Sequence, residues 1–170
     1  KEFLVLRIER GEEMPNHIWR SFNIRGVAET EITPEFAKRF GRACASYFHQ
    51  RNLFKIAVGR DTRNSGQILS SALIEGLCSA GMNVFDLGEA PTPAVYFATS
   101  GFGFDAGIIV TASHNPPEYN GFKLRLQDRP LYPNDFVELK KWFDSNSSSH
   151  KKGTVEKFNI QPIYEQNIAL

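Results

Sequence analysis

The chain has 170 residues, 41% of them apolar and 23% charged, with 20 Lys plus Arg against 19 Asp plus Glu. This is the composition of a globular chain with one good core, too short for a complete multidomain enzyme. A formal charge of +1 gives no long-range field suited to nucleic acid or to an anionic membrane, so any phosphate binding has to be local.

No apolar run approaches the roughly 18 residues that a bilayer demands. Lys1 to Arg10 mixes charges with hydrophobics and has no cleavage site, so the expected compartment is the cytoplasm. In chain order, Thr33-Pro34-Glu35 supplies an N-cap, a first-turn proline and a first-turn acid. Phe36, Ala37, Phe40, Cys44, Tyr47 and Phe48 follow at helical spacing, which predicts a helix with one face in a core. Phe54 to Gly59 reads as a short strand. Ser65 is expected to cap a second helix with Ile68, Leu69, Ala72, Leu73, Leu77 and Cys78 on one side, ended by Gly81. Asn83 to Leu87 predicts a strand, Thr92-Pro93 the start of a helix on Ala94, Val95, Phe97 and Ala98, and Ala106 to Thr111 an apolar, β-branched strand. Phe122 to Leu126 adds a strand, and Asp135 to Phe143 a last helix with Phe136, Leu139, Lys140 and Phe143 on one face.

Such alternation predicts an α/β fold: a three-layer sandwich in which a mainly parallel, mixed sheet carries helices on both faces, joined by right-handed crossovers. Ser145 to Lys152 is polar and low in complexity and reads as a linker. The expected organisation is one domain over residues 1–145, with 146–170 as linker and the start of a following domain. Cys44 and Cys78 lie in apolar helical patterns without metal-ligand spacing, and both are expected to be small core residues.

The chemistry is expected in Thr111-Ala112-Ser113-His114-Asn115-Pro116-Pro117-Glu118-Tyr119-Asn120-Gly121-Phe122-Lys123, directly after the most apolar strand. Ligands in open α/β sheets gather beyond the carboxyl ends of the strands. Pro116-Pro117 stiffens the turn and Asn120-Gly121 permits positive backbone torsions, which limits how far the Ser113 hydroxyl can wander. A serine needs a nearby proton acceptor to become a nucleophile. His114 is adjacent, but neighbours in an extended loop point apart, so His114 is expected beside the transferred group rather than hydrogen-bonded to Ser113. Lys123, ten residues on, has the positive charge that phosphoryl transfer uses to neutralise phosphate oxygens.

This run resembles the phosphoserine loop of the α-D-phosphohexomutases, the group that contains phosphomannomutases, phosphoglucomutases and phosphoglucosamine mutases. Phe22-Asn23-Ile24-Arg25-Gly26, Val58 to Gly66 and Gly88-Glu89-Ala90-Pro91-Thr92-Pro93 are similar to further family segments in the same order. The resemblance covers roughly residues 19 to 145, and its Tyr119 to Lys123 ending leans toward the phosphomannomutase and phosphoglucomutase branch. It implies a phosphorylated Ser113 that hands its phosphoryl group to a hexose monophosphate (mannose or glucose 1- or 6-phosphate). The bisphosphate formed turns over and returns the other phosphate. On the resemblance, Arg25 and Lys123 contact the phosphate, His114 assists proton transfer, and phosphorylated Ser113 is one ligand of Mg2+. The family draws the other ligands from an aspartate-rich loop of a second domain, which these residues lack. The implied partners are hexose phosphates and further domains of the same polypeptide, and the 170 residues alone are expected to show no mutase turnover. Phe22 replaces the tyrosine usual in that family, which removes a hydroxyl from a substrate-binding position, and Asn23 replaces an aspartate.

The other reading is a non-catalytic phosphosugar-binding or regulatory module of the same fold. Arg60, Asp61 and Arg63 read as a structural ion pair that pins a turn. Gly101-Phe102-Gly103-Phe104-Asp105-Ala106 mimics a dinucleotide fingerprint but follows a helix and opens a strand, so it reads as a loop. His17, His49 and His150 lack metal-site spacing and are expected on the surface. Asn146-Ser147-Ser148 matches a glycosylation pattern that has no meaning in the cytoplasm.

Overall fold

A computed structural model of the chain describes residues 16–145 and 151–168. After a single 3-10 turn at Asn16–Ile18 come β1 (Ile24–Val27), α1 (Pro34–His49), β2 (Lys55–Arg60), α2 (Gly66–Ser79), β3 (Asn83–Glu89) and α3 (Thr92–Gly101). The order continues with β4 (Ala106–Val110), β5 (Tyr119–Leu126), α4 (Pro133–Ser145), β6 (Val155–Lys157) and α5 (Gln161–Ile168). The helix starts follow local chemistry. Thr33 is extended, and its Oγ1 accepts the Phe36 N–H at 3.1 Å while Pro34 fills the first turn. Ser65 departs from its expected role. It occupies the cap position of α2 but makes no side-chain cap bond, because its hydroxyl instead accepts Asn120 Nδ2 at 2.9 Å.

The strands form one six-stranded sheet in the order β1-β5-β4-β2-β3-β6. β4, β2, β3 and β6 run parallel to one another, and β5 is antiparallel to both β4 and β1. The fold is therefore the expected α/β sandwich with a mixed, mainly parallel sheet. Ile56, Val58, Ile108, Val110, Phe122 and Leu124 point to one face, where they pack with α1, α2 and α4. The alternate residues Ala57 and Ile109 point to the other face, against Ala94, Val95 and Ala98 of α3 and Ile160 before α5. Trp19, Phe36, Phe40, Phe122 and Phe143 form a ring cluster on the first face, with Phe36 and Phe143 centred 4.9 Å apart and Trp19 and Phe143 5.4 Å apart. Each of the four phenylalanine rings is fully buried and removes enough apolar surface from water to contribute about 2–3 kcal/mol. Both cysteines are buried free thiols, and burial pushes the Cys44 thiol well above its usual range. They are core residues, as expected.

The polar stretch expected to be a linker falls largely on 146–150, outside the described residues, as do His150 and Asn146-Ser147-Ser148. Val155–Lys157, placed by sequence in the start of a following domain, is in the structure an edge strand of this same sheet, hydrogen-bonded to β3. Ile160 is buried behind it.

The connections set the position of the site. β2 leads through α2 to β3 on one side, and β3 returns through α3 to β4 on the other side of β2. The carboxyl ends of β2 and β4 thus border a topological switch point, where open α/β sheets leave a crevice.

Candidate active site

A hollow of about 770 Å³ opens at this crevice, lined by Asp61, Thr62 and Arg63 after β2, Thr92 and Pro93 at the start of α3, Thr111, Ser113, His114, Asn115 and Pro117 after β4, and Lys123 of β5. Ala112, between Thr111 and Ser113, turns inward. Ser113 is half-buried with φ +58, one of three non-glycine residues with positive φ among those described. The left-handed torsion reverses one expectation. It swings the side chain back along the loop, so that Ser113 Oγ lies 3.1 Å from His114 Nδ1. Adjacent side chains point apart only when the backbone is extended, and here it is not. The pair sets a hydroxyl and an imidazole nitrogen in hydrogen-bond contact, the arrangement that activation of a serine uses.

The serine loop is braced from β2 and β1. Thr111 Oγ1 donates to Asp61 Oδ2 at 2.6 Å, which leaves its lone pairs to accept the Ser113 N–H at 2.9 Å. Asp61 also accepts the Arg63 backbone N–H at 3.1 Å and Arg63 Nε at 3.2 Å. The expected ion pair is thus Asp61 with Arg63, whereas Arg60 reaches Glu89 at 3.0 Å. From the other side Arg25 Nη1 donates to Asn115 Oδ1 at 3.0 Å. Arg25 pairs across the sheet with Gly121 and shares a face with Lys123, two residues along β5. The structure therefore brings Ser113, His114, Lys123 and Arg25 to one loop and one sheet face. Phe22 is 62% exposed and is not among the residues lining the hollow. Of the other histidines, His17 is exposed and meets Glu31 at 2.5 Å, whereas His49 is half-buried with Nε2 2.8 Å from the Ala80 carbonyl.

Gly121 makes the close approach of β1 possible, since a Cβ there would fall inside the van der Waals surface of the Ile24 carbonyl oxygen. Gly121→Ala is expected to cost roughly 2 kcal/mol by prising β1 from β5, read as a lower urea midpoint at unchanged m-value. An unchanged midpoint would show that β1 can shift freely.

The only acid lining the hollow among the described residues is Asp61, and its oxygens are occupied by Thr111 and Arg63; the remaining lining is neutral or cationic. Such a surface suits an anion. No group of three or more His, Cys, Asp or Glu side chains among the described residues is arranged to hold a metal ion. Mg2+ requires six oxygen ligands. The described side chains offer no ready-made set of such ligands, so a divalent cation here would depend on ligands beyond them.

A left-handed serine in contact with a histidine, two cations on neighbouring strands and a sheet switch point define an α/β unit with a crevice suited to an anion. Residues 17–149 match the family described as phosphoglucomutase/phosphomannomutase, alpha/beta/alpha domain I, and the chain belongs to that family as its first domain. Relatives include a phosphoglucomutase/phosphomannomutase of Thermococcus kodakarensis, 50% identical over 109 residues that cover 63% of this chain and 24% of that protein. A phosphomannomutase/phosphoglucomutase of Pseudomonas aeruginosa is 38% identical over 155 residues, 91% of this chain and 34% of that protein. The crystal structure of a phosphoglucomutase/phosphomannomutase family protein from Burkholderia thailandensis superposes with a TM-score of 0.86 at 34% identity, over 92% of this chain and 36% of the other. The chain thus spans between a quarter and just over a third of the length of these relatives.

Nothing local in the sequence marks Arg63 as a brace of the loop carbonyls, Ser65 as a partner of Asn120, or Asn115 as the link to Arg25. The close spacing of Asp61 and Arg63 was a signal for the ion pair alone.

Proposed function

We propose that this chain is the phosphoryl-carrying unit of a mutase that interconverts hexose 1-phosphates and 6-phosphates, with glucose or mannose as the sugar. The observation that carries the reading is Ser113, held at φ +58 with its hydroxyl on His114 Nδ1 and lining a hollow shared with Lys123. In the transfer, the bond from phosphorus to Ser113 Oγ breaks and a bond from phosphorus to a sugar hydroxyl oxygen forms. The proton of that hydroxyl ends on Oγ, and His114 is placed to relay it. In the reverse step the same proton leaves Oγ. Lys123 and the outer nitrogens of Arg25 neutralise the equatorial phosphate oxygens, the charge that phosphoryl transfer most needs offset. Phe22 acts at most as an apolar wall for the sugar, since it has no hydroxyl and stands away from the hollow. A divalent cation belongs to this reading through phosphorylated Ser113, with its remaining ligands supplied by other domains. The proposed compartment is the cytoplasm, which agrees with two free buried thiols.

Incubation of the chain with glucose 1,6-bisphosphate, followed by peptide mass spectrometry, tests the reading. Phosphate mapped to Ser113 and absent from Ser113→Ala is the expected result, with no repeated turnover by these residues alone. Sugar-phosphate binding that survives Ser113→Ala without any phosphorylation would replace the carrier with a binding module.

A further inference from the structure

Arg63 is the most fully engaged cation in the molecule's hollow. A guanidinium has five N–H donors in a rigid planar fork and no acceptor. Nη1 donates to the Pro116 carbonyl at 2.6 Å and to that of Tyr119 at 3.0 Å; Nη2 donates to the carbonyls of Ser113 at 2.9 Å and Asn115 at 2.7 Å; Nε takes Asp61 Oδ2 at 3.2 Å. All five donors are therefore directed at the protein. Four of the acceptors are backbone carbonyls of the loop that carries the serine, and one of them belongs to Ser113. Arg25, in contrast, directs a single donor at the loop, to Asn115.

We propose that Arg63 is a positioning residue: its guanidinium gathers the carbonyls of Ser113, Asn115, Pro116 and Tyr119 around one plane, locks Ser113 in the left-handed torsion, and so holds the hydroxyl on His114, while itself offering no donor to a phosphate. The inference rests on reading Ser113 as the phosphoryl carrier. Its physical basis is that a left-handed non-glycine residue is strained and persists only where the surroundings over-determine it. Here the over-determination has two sources, the Arg63 fork on the carbonyl of Ser113 and the Thr111 hydroxyl on its N–H. A lysine at 63 would keep the charge but hold its three donors on one nitrogen, which cannot bridge four carbonyls and a carboxylate. Arg63 is thus distinguished from Lys123 and Arg25, whose role is to meet the anion.

The test compares the unsubstituted chain with Arg63→Lys, following phosphate on Ser113 over a range of glucose 1,6-bisphosphate concentrations. The maximal phosphorylation rate is expected to fall roughly tenfold to a hundredfold, because small misplacements of a nucleophile have effects of that order. The half-saturating concentration is expected to stay the same. NMR three-bond couplings should place Ser113 at positive φ in the unsubstituted chain and move it toward negative φ in Arg63→Lys. A raised half-saturating concentration at an unchanged maximal rate would make Arg63 a phosphate ligand and overturn the proposal, as would an unchanged Ser113 torsion. Should Arg63→Lys not fold, the unsubstituted chain decides the matter: the Arg63 guanidinium signals should stay in place as inorganic phosphate is added while those of Lys123 move, and a shift of the Arg63 signals overturns the assignment. If Ser113 never takes up phosphate, the carrier reading fails, whereas the torsion and guanidinium measurements still judge the role of Arg63.

Discussion

Gly76→Ala is expected to destabilise the chain by about 2–3 kcal/mol, although alanine is the better helix former by about 1 kcal/mol. Gly76 lies in α2 facing Gly41 of α1, and the two helices touch through their backbones. A Cβ on Gly76 would overlap the Lys38 carbonyl oxygen, and one on Gly41 would lie 2.5 Å from the Leu73 carbonyl oxygen. The obstacle in each case is main chain, which cannot rotate away as a side chain could, so the helices have to separate. Separation uncovers part of the ring cluster on Phe36 and Phe40 and exceeds the gain in helix propensity. For a domain of this size the loss should lower the thermal midpoint by about 4–12 °C. It should also loosen the contact of Ser65 with Asn120, since Ser65 heads α2. A midpoint that rises or stays constant in calorimetry would show that the helices have slack the packing does not suggest.

The second large effect is expected at Asp135, far from the hollow. Its carboxylate accepts from Tyr47 Oη at 2.7 Å, from Arg129 Nη1 at 2.6 Å and from the Tyr132 N–H at 2.7 Å. Burial alone would raise its pKa, but the hydrogen bonds from Arg129, Tyr47 and the Tyr132 backbone prevail and bring it from the ordinary 3.8 down to about 2. Burial beside this carboxylate also pushes the Tyr47 hydroxyl upward. A folded pKa below the unfolded one means stability that is fully present above about pH 4 and lost as pH falls toward 2. The linkage amounts to about 2 kcal/mol. Asp135→Asn should therefore cost about that much in urea unfolding at pH 7, and the difference from the parent chain should shrink toward zero near pH 2. A difference that does not change between pH 7 and pH 2 would mean that ionisation of Asp135 contributes nothing.

The sandwich and the serine loop were legible because their signals are local. Thr33-Pro34 and the aromatic spacing after it specify α1, and every residue of the expected stripe is fully buried. The unbroken, β-branched apolar run Ala106 to Val110 suits a strand covered on both faces, and every residue of it is buried. What escaped depends on partners distant in sequence. Val155–Lys157 is exposed throughout and is a strand only because β3 offers it an unpaired edge some 70 residues earlier. Ile24–Val27 is four residues long with a glycine inside, too short to show alternation. The Ser65 hydroxyl had a sound reason to cap its helix, and lost that role to an amide that only the folded sheet brings near. The contact between Ser113 and His114 was misjudged for a related reason: the torsion that creates it is imposed by carbonyl partners of Arg63, which no local pattern in the sequence specifies.

β5 is the one strand of the sheet that runs against both of its neighbours, and this makes the serine loop a hairpin link with each foot planted in a hydrogen-bonded ladder. A connection of that kind has almost no reach. On the carrier reading, the oxygen of Ser113 is a stationary post, and the two ends of a hexose have to be presented to it in turn by motions of the sugar or of whatever else grips it.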